Sequence, residues 1–376
     1  MAHYVRRGQA EAGFLTVGAG LERQPIERFL SGSAPGAGAV VDVRAPAEFQ
    51  QGHIPGARNL PLFSDEQRAA VGTAYKQQGR QAAVQLGLEL VGPRLGELGA
   101  GLQNLAAESG GAPLRLHCWR GGMRSESVAW LARQLDLPVL LLEGGYKSFR
   151  RWVLTQFEQS WPVHLLGGRT GCGKTDLLLA LQQRGVGVID LEGLAHHRGS
   201  SFGSLGLPPQ PSTEHYENRL AMALQPLRGA SQIWLEAESA QVGRCRIPAG
   251  LWRQMQQAPL LEISRPLEER LSQLVAVYGV QDPQALLEAT QRIARRLGPQ
   301  RTAAALEAIE QRNWSEAARQ MLDYYDRCYD HELERLRRSD QPQPLGSHDL
   351  SGLSAEAAAE HLLQCGAIEA AVRRAA

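Results

Sequence analysis

Long apolar runs are absent from the 376-residue sequence, and no uninterrupted apolar stretch approaches the roughly 20 residues that a helix needs to cross a bilayer. The first residues, MAHYVRRGQAEAGF, contain arginines but no apolar block after them, so we expect neither a secretory signal nor an anchor. Hydrophobic residues make up 43% of the chain and charged residues 21%, the balance of a globular protein. We therefore predict a cytoplasmic protein without a membrane span.

Closely spaced cysteines are also missing. The five cysteines of the chain contain no C-x-x-C pair, which argues against a disulfide framework and against a zinc site. They are Cys118, Cys172, Cys245, Cys328 and Cys365. The pattern leaves room for at least one working thiol.

Lysine is scarce, since only Lys76, Lys147 and Lys174 stand among 40 basic residues. Biased genomic composition explains the preference for arginine, but a lysine kept in such a sequence draws attention to Lys174. The net charge is +1, so no overall positive field indicates nucleic acid.

Alternation of strand and helix patterns organises the chain into two α/β domains, with an expected boundary near residue 160. In the first, at 1–160, AVVDV, LRLHC and PVLLLEGG read as strands, and residues 65–108 as a helical insert. In the second, at 161–376, strand VHLLGG restarts the pattern. Residues 266–338 read as mostly helical, and RRSDQPQPLGSHD as a linker to a last short strand and helix. Parallel sheets with functional loops at the strand ends follow from this order.

A cysteine stands at the end of one of these strands, in the sequence HCWRGGMRS. Cys118 and Arg124 form a C-x5-R loop that leads directly into a helix. The N–H groups of a tight loop and a helix N-terminus together attract an anion, and their field favours a thiolate. We predict that Cys118 is a nucleophile beside a bound oxyanion, to which Arg120 and Arg124 donate hydrogen bonds.

The second motif, GRTGCGKT at 168–175, matches the phosphate-binding loop G-x-x-x-x-G-K-[ST] between a strand and a helix. Its glycines let the backbone approach phosphates, Lys174 reaches the terminal phosphates, and the Thr175 hydroxyl is a ligand for Mg²⁺. The predicted phosphate-binding residues are Gly168, Thr170, Gly171, Gly173, Lys174 and Thr175.

Acidic partners for this metal ion follow two strands that should end beside the loop. VIDLEG and IWLEAES supply them, and the sequence does not choose among the four candidates. These are Asp190, Glu192, Glu236 and Glu238.

Residues 14 to 155 resemble the rhodanese domain, whose loop cysteine carries sulfur as a persulfide. The likeness rests on VVDVRAPAEFQQGHIPGARNLP, the cysteine loop and LLEGGYKSFRRW. The usual sulfur-transferring loop is one residue shorter, whereas C-x5-R is the spacing of related dual-specificity phosphatases. A longer loop accommodates a phosphate-sized group, which favours a phosphoester or a substituted phosphate over thiosulfate.

The chain as a whole is similar to the tRNA 2-selenouridine synthases. The likeness rests on HCWRGGMRS, LLEGGYKSFRRWV, GGRTGCGKT, VIDLEGLAHHRGSSFG, WLEAESAQVGRCRIPAGLW and MLDYYDRCYDH. It implies a rhodanese-like α/β domain followed by a P-loop NTPase-like α/β domain with a helical C-terminal extension.

This resemblance also implies a reaction, in which selenium replaces sulfur in 2-thiouridine at the wobble position of tRNA. Geranyl diphosphate first alkylates the sulfur, giving S-geranyl-2-thiouridine, and selenophosphate supplies the selenium. On this reading the phosphate loop holds geranyl diphosphate rather than ATP. The cysteine loop holds selenophosphate, and Cys118 either carries selenium or assists its attack.

The RNA partner is then the anticodon stem-loop, bound through arginine contacts to phosphate and with the unstacked base read in a pocket. Trp119, Tyr146 and Trp152 are candidates to stack a base, although core packing is the commoner role of such residues. The candidate tRNA-binding residues are Arg292, Arg295, Arg296, Arg301, Arg312 and Arg319, for which a solvated helix face paired with glutamates is the plain alternative.

Two other functions stay open at this level. C-x5-R favours a phosphatase or sulfurtransferase of the rhodanese type with a nucleotide-binding module. The phosphate loop and the arginines also fit an ATP-gated RNA-binding regulator with Cys118 as a redox sensor. Oligomeric state is not readable from the sequence.

Overall fold

A computed structural model of the chain describes residues 21–31, 37–338 and 345–370. Residues 1–14, from which we predicted neither a secretory signal nor an anchor, lie outside the described residues. The chain divides into two compact units, one comprising residues 1–49 and 56–149 and the other residues 50–55 and 150–376.

The first unit alternates short strands with helices, and helices α3 to α5 confirm the insert expected at residues 65–108. Its elements are β1 (Arg23–Gln24), α1 (Ile26–Ser31), β2 (Val40–Asp42), α2 (Pro46–Gln51), β3 (Arg58–Asn59), α3 (Asp65–Gln78), α4 (Arg80–Val91), α5 (Leu95–Glu108), β4 (Leu114–His117), α6 (Met123–Gln134), β5 (Val139–Leu142) and α7 (Gly145–Glu158), which continues into the second unit.

All strands of the first unit pair in parallel, in the order β1-β5-β4-β2-β3. Strand β4 lies at the centre and is buried along its whole length. Neighbouring apolar side chains from β2, β4, α5 and α6 form the core under the sheet. The end of this central strand is therefore the best supported point of the unit, and Cys118 follows it directly.

The second unit contains another parallel sheet, a two-stranded hairpin and a helical block. Its elements are β6 (Val163–Gly167), α8 (Lys174–Gln183), β7 (Val188–Ile189), α9 (Leu191–Ala195), α10 (Thr213–Leu224), β8 (Ile233–Glu236), β9 (Gln241–Val242), β10 (Cys245–Arg246), α11 (Ala249–Gln257), β11 (Leu260–Ser264), α12 (Leu267–Tyr278), α13 (Pro283–Leu297), α14 (Pro299–Glu310), α15 (Trp314–Arg338), β12 (Gly346–Asp349) and α16 (Ala355–Gln364).

The second sheet has the order β12-β11-β6-β8-β7, again parallel throughout. Strand β6 is central, so the phosphate loop after it is supported on both sides. Helices α13 to α15 pack around their own apolar core, which includes Ile293, Ala305 and Ile309. They confirm the helical block expected at residues 266–338.

The predicted end of the C-terminal linker was wrong. The linker predicted as RRSDQPQPLGSHD ends in four residues, 346–349, that form the edge strand β12. These residues are largely exposed and polar, so no apolar alternation marks them as a strand. Among the described residues, no helix combines the length and apolar character needed to cross a membrane.

Candidate active site

The first candidate site is the loop that joins β4 to α6, residues 118–122. The backbone turns at Gly121, whose φ is +66°. A Cβ at this position would lie 2.7 Å from the Leu142 carbonyl oxygen and 2.9 Å from the Gly145 nitrogen. Glycine is required both for the left-handed conformation and for this approach. The loop is thus held against the turn that begins α7.

The backbone polarity of this loop suits an anion. The Tyr146 and Lys147 N–H groups donate to the carbonyl oxygens of Cys118 and Trp119 at 2.8 and 2.9 Å. Within the described residues, the N–H groups of residues 119–125 have no such backbone partner. The loop's carbonyl oxygens are thus hydrogen-bonded to the start of α7, whereas its N–H groups, at the start of α6, are available to a ligand. Such a loop carries a partial positive charge.

The Cys118 side chain is buried, with 3% of the residue exposed, and belongs to the apolar core of the first unit. The Ser125 hydroxyl lies 3.3 Å from Sγ and 3.0 Å from the Gly122 carbonyl oxygen, either of which can accept its proton, and Sγ lies 3.8 Å from the same oxygen. A hydroxyl donor can solvate a sulfur anion, which the apolar neighbours cannot do. The structure therefore gives the thiol one favourable polar neighbour at the start of α6.

The two arginines of the loop differ in their surroundings. Arg124 donates to Glu48 Oε2 at 2.8 Å, and both side chains are largely buried. Arg120 is exposed. An anion in the loop would thus compete with Glu48 for Arg124, whereas Arg120 is accessible to any ligand from solvent.

A buried charged group behind the loop was missed at the sequence level. Arg44 donates to Asp42 from Nε at 3.0 Å and from Nη2 at 2.6 Å, and its guanidinium lies 3.7 Å from the Tyr146 ring centre. Burial opposes ionisation of Asp42, but His117 and Arg44 outweigh it and lower its pKa. The sequence DVR at residues 42–44 could have revealed this pair, because charged residues at the end of a buried strand require a partner of opposite charge.

The second candidate site is the phosphate loop between β6 and α8. Gly171 and Gly173 have φ angles of +84° and +73°, and a Cβ on Gly171 would lie 2.8 Å from the Arg270 carbonyl oxygen. Lys174 Nζ donates to the Gly168 carbonyl oxygen at 2.8 Å, so the lysine lies across the loop. The glycine conformations give a cradle of backbone N–H groups, and the lysine ammonium is held against the loop's own backbone.

Two arginines fix the outer side of the phosphate loop. Arg270 is buried, pairs with Asp326 at 2.7 Å and donates to the Thr170 carbonyl oxygen at 3.1 Å. Arg265 donates to the Cys172 carbonyl oxygen at 3.2 Å. These bonds occupy carbonyl oxygens that would otherwise repel a phosphate. Arg265 and Arg270 therefore position the loop from β11 and α12.

The four candidate carboxylates divide into two pairs. Asp190 accepts the Gly193 N–H at 2.7 Å as the N-cap of α9, and Glu236 is fully buried and accepts the Leu191 N–H at 3.1 Å. By contrast, Glu192 accepts the Thr175 hydroxyl at 3.0 Å, and Glu192 and Glu238 both line a cavity. Only the second pair is placed to meet a ligand on the phosphate loop.

Glu192 and Glu236 hold their protons more tightly than an ordinary glutamate. Burial and the neighbouring Glu238 raise the pKa of Glu192 to about 8. Burial, with Asp190 and Glu192 nearby, also raises the pKa of Glu236. A divalent cation would relieve this clustering of acidic groups.

A cavity of about 390 Å³ opens at the phosphate loop, and all six predicted phosphate-binding residues line it. Beyond them the walls become apolar, from α12 to α15. They include Leu274, Val277, Leu286, Ile309, Trp314 and Met321, interspersed with the hydroxyl-bearing rings of Tyr278, Tyr325 and Tyr329. Pockets for small ligands occupy roughly 300–1,000 Å³. The cavity therefore has the size of a small-ligand site, with the predicted phosphate-binding residues at one end and mainly apolar side chains beyond them.

Family models match both units of the chain. The rhodanese-like domain matches residues 27–151, and the AAA domain of tRNA 2-selenouridine synthase matches residues 161–344. A tRNA 2-selenouridine synthase of Marinobacter nauticus is 36% identical over 78% of this chain and 88% of that protein. The chain belongs to the tRNA 2-selenouridine synthase family.

Other members of the family give the same result. The protein of Alcanivorax borkumensis is 37% identical over 79% of this chain and 90% of its own length, and that of Serratia proteamaculans is 44% identical over 64% of each. The resemblance inferred from the sequence is thus confirmed. The matched domains also confirm the predicted fold class, a rhodanese-like α/β domain followed by a P-loop domain with helical extension.

The arginines predicted to bind tRNA in this family member have different environments. Arg295 and Arg296 are exposed on α13, and Arg292 donates to the Ser201 carbonyl oxygen at 3.4 Å. Arg301 pairs with Asp323, and Arg319 pairs with Glu268 at 2.9 Å. Arg292, Arg295, Arg296 and Arg312 are thus the exposed members of the predicted set.

The aromatic candidates divide in the same way. Tyr146 and Trp152 are buried, and packing accounts for both. Trp119 is 36% exposed, and its ring centre lies 5.7 Å from that of Tyr146. Of the three, Trp119 alone has a face available to a base.

The raised pKa of Glu192 gives a testable dependence of stability on pH. An unfolded glutamate ionises near 4.5 and this one at about 8, so the free energy of unfolding should fall as pH rises through this window. Glu192→Gln keeps an acceptor for Thr175 and removes the titration. Hydrogen exchange of the β6 and β8 amides at pH 5 to 8 measures the free energy of opening for the wild type and for this variant. That free energy should fall with pH less steeply in the variant, and the two slopes should differ by up to about 1.4 kcal/mol per pH unit.

The matched control is Glu89→Gln, an exposed glutamate on α4 in the other unit. It should leave the exchange of β6 and β8 unchanged. Equal slopes for wild type and Glu192→Gln would contradict the assignment.

Proposed function

We propose that this chain replaces sulfur by selenium in wobble 2-thiouridine of tRNA, through an S-geranyl intermediate, with geranyl diphosphate and selenophosphate as substrates. Membership of the tRNA 2-selenouridine synthase family favours this reaction over a phosphatase or an ATP-gated regulator. The observation that carries the proposal is the cavity, in which a phosphate loop opens onto apolar walls.

The shape of this cavity favours geranyl diphosphate over ATP. The tyrosine and glutamine side chains of the lining offer a nucleotide some hydrogen bonds, but much of its sugar and base would lie against Leu274, Val277 and Trp314. A ten-carbon chain instead gains from burial there, by about 0.8 kcal/mol per methylene group. The diphosphate meets the loop amides and Lys174.

Transfer of the geranyl group requires stabilisation of the leaving diphosphate. The C2 sulfur of the base forms a bond to the allylic carbon as the carbon–oxygen bond breaks, and the electron pair departs with the diphosphate. Lys174 and the loop amides stabilise this charge. The Thr175 hydroxyl and the Glu192 and Glu238 carboxylates are oxygen ligands of the kind that Mg²⁺ prefers, and the ion would supply further neutralisation.

The cysteine loop is proposed to bind selenophosphate. Its N–H groups, Arg120 and Arg124 suit a phosphoryl group. Attack of the Cys118 thiolate on phosphorus would break the phosphorus–selenium bond and release selenide, which then displaces the geranyl thiolate from C2. Water hydrolyses the phosphocysteine, so the sequence needs no oxidant. The C-x5-R spacing and the Ser125 hydroxyl at Sγ support this use of the thiol.

Lys174→Ala tests the geranyl step. Loss of the ammonium should reduce transfer of radiolabelled geranyl groups to 2-thiouridine tRNA by about 100-fold or more, because the leaving charge is no longer matched. Lys76→Ala, at an exposed lysine on α3, is the control and should transfer normally. Undiminished transfer by Lys174→Ala would remove the phosphate loop from the reaction.

Ala318→Phe tests the apolar wall. Ala318 lines the cavity on α15, and a phenyl ring would occupy space assigned to the hydrocarbon chain. The Kd of geranyl diphosphate should rise at least about tenfold, a loss of about 1.4 kcal/mol. Inorganic diphosphate should bind as before, since the loop is untouched. Calorimetry with both ligands checks this, and equal weakening of the two would contradict the assignment.

Cys118→Ser separates the two half-reactions. The variant should geranylate tRNA at the wild-type rate but form no 2-selenouridine, because it lacks the thiolate. Mass spectrometry of nucleosides after incubation with both substrates reports each product, and Cys328→Ser, at an exposed thiol on α15, should be active in both steps. Normal selenium incorporation by Cys118→Ser would exclude the thiol from the chemistry.

A further inference from the structure

Three potential metal ligands meet at the C-terminal end of the second unit. They are His348 on the edge strand β12 and His361 and Cys365 at the end of α16. One ligand atom from each lies within 4.8 Å of the other two. His348 is partly buried and the others are exposed, so the group is open to solvent on one side.

Local structure explains why the three residues converge. His361 and Cys365 are four residues apart and therefore share one face of α16. The adjoining face, with Ala358, Ala359 and Leu362, is buried against α8, and this fixes the rotation of the helix. Parallel pairing of β12 with β11 sets the position of His348, which pairs with Ile263.

The contacts within the group leave its donor atoms available. The Cys365 thiol lies 3.5 Å from the Leu362 carbonyl oxygen, and the two imidazole rings are 6.1 Å apart and nearly perpendicular. Neither imidazole has a hydrogen-bonding partner among the described residues. None of the three residues lines the cavity at the phosphate loop, so the group is separate from the proposed chemistry.

We propose that His348, His361 and Cys365 bind a transition-metal ion, with zinc as the best match. Two imidazole nitrogens and a thiolate are ligands that zinc accepts, and solvent can fill the fourth tetrahedral position. Bond lengths of about 2.0–2.3 Å place tetrahedral ligand atoms roughly 3.3–3.8 Å apart. Exposed side chains reach this spacing by small rotations. Binding transfers the thiol proton to solvent and changes no oxidation state.

The absence of C-x-x-C pairs does not speak against this site. That spacing marks zinc sites built from cysteine pairs, whereas these ligands come from a strand and a helix. A bound ion would join β12 to α16, which packs on α8. Because α8 begins with Lys174 and Thr175, the site would stabilise the element that supports the phosphate loop.

Cobalt(II) binding to the full chain, after removal of metals with a chelator, tests the proposal. One equivalent should give the visible bands of a tetrahedral ion and a sulfur-to-cobalt charge-transfer band, and zinc should abolish both. Cys365→Ser should lose the charge-transfer band, and His361→Gln should weaken binding by about 100-fold. Cys328→Ser and Cys118→Ser should keep the wild-type spectrum.

A second measurement does not depend on colour. Zinc should slow hydrogen exchange in residues 346–364 of the wild type but not of Cys365→Ser, and circular dichroism should confirm that each variant is folded. Absence of one-equivalent binding to the wild type, or unchanged binding by both variants, would show that the three residues are only a histidine pair with an exposed thiol nearby. Neither outcome affects the proposed selenium transfer, whose assays involve other residues.

Discussion

Both candidate sites depend on one constraint, the need to pass from a central parallel strand into a helix within a few residues. Such a turn leaves the first N–H groups of the helix without intrahelical partners. It also requires left-handed backbone, which Gly121 supplies after β4 and Gly171 and Gly173 supply after β6. The same geometry that makes these loops costly for other residues makes them attractive to anions. The phosphate chemistry proposed for both loops would thus follow from how the sheets are connected.

Electrostatic balance then distinguishes the two loops. The cysteine loop is surrounded by internally neutralised charge, since Arg44 pairs with Asp42 and Arg124 with Glu48. The phosphate loop instead faces an excess of buried acid, where Glu192 and Glu238 stand together near Thr175. An isolated carboxylate pair of this kind is unfavourable without a proton or a cation between its members. This difference agrees with the proposed assignment of a phosphoryl donor to the first loop and of a diphosphate with a metal ion to the second.

Motifs and periodicity predicted the fold class, the helical insert and the helical block. The cysteine and phosphate loops were found because strand, glycines and helix start follow one another in the sequence. Residues whose role depends on distant partners were not found. Glu48 is 76 residues from Arg124, and Asp326 is 56 residues from Arg270. Strand β12 was hidden for another reason, since a polar edge strand shows no apolar alternation. Sequence patterns thus locate reactive groups better than they locate the residues that hold them.

The cavity illustrates this limit most clearly, because its polar and apolar ends come from different parts of the chain. The loop at 168–175 is a local motif, whereas Leu274, Leu286, Ile309 and Trp314 belong to four separate helices. Each helix pattern predicts an apolar face but not whether that face packs fully or leaves space. The helices pack on one another around a core that includes Ile293, Ala305 and Ile309, and a space lined by all four is left at the phosphate loop. A phosphate loop alone is compatible with many nucleotides, so under the proposed function it is the apolar space left by the helical block that selects an amphiphilic substrate.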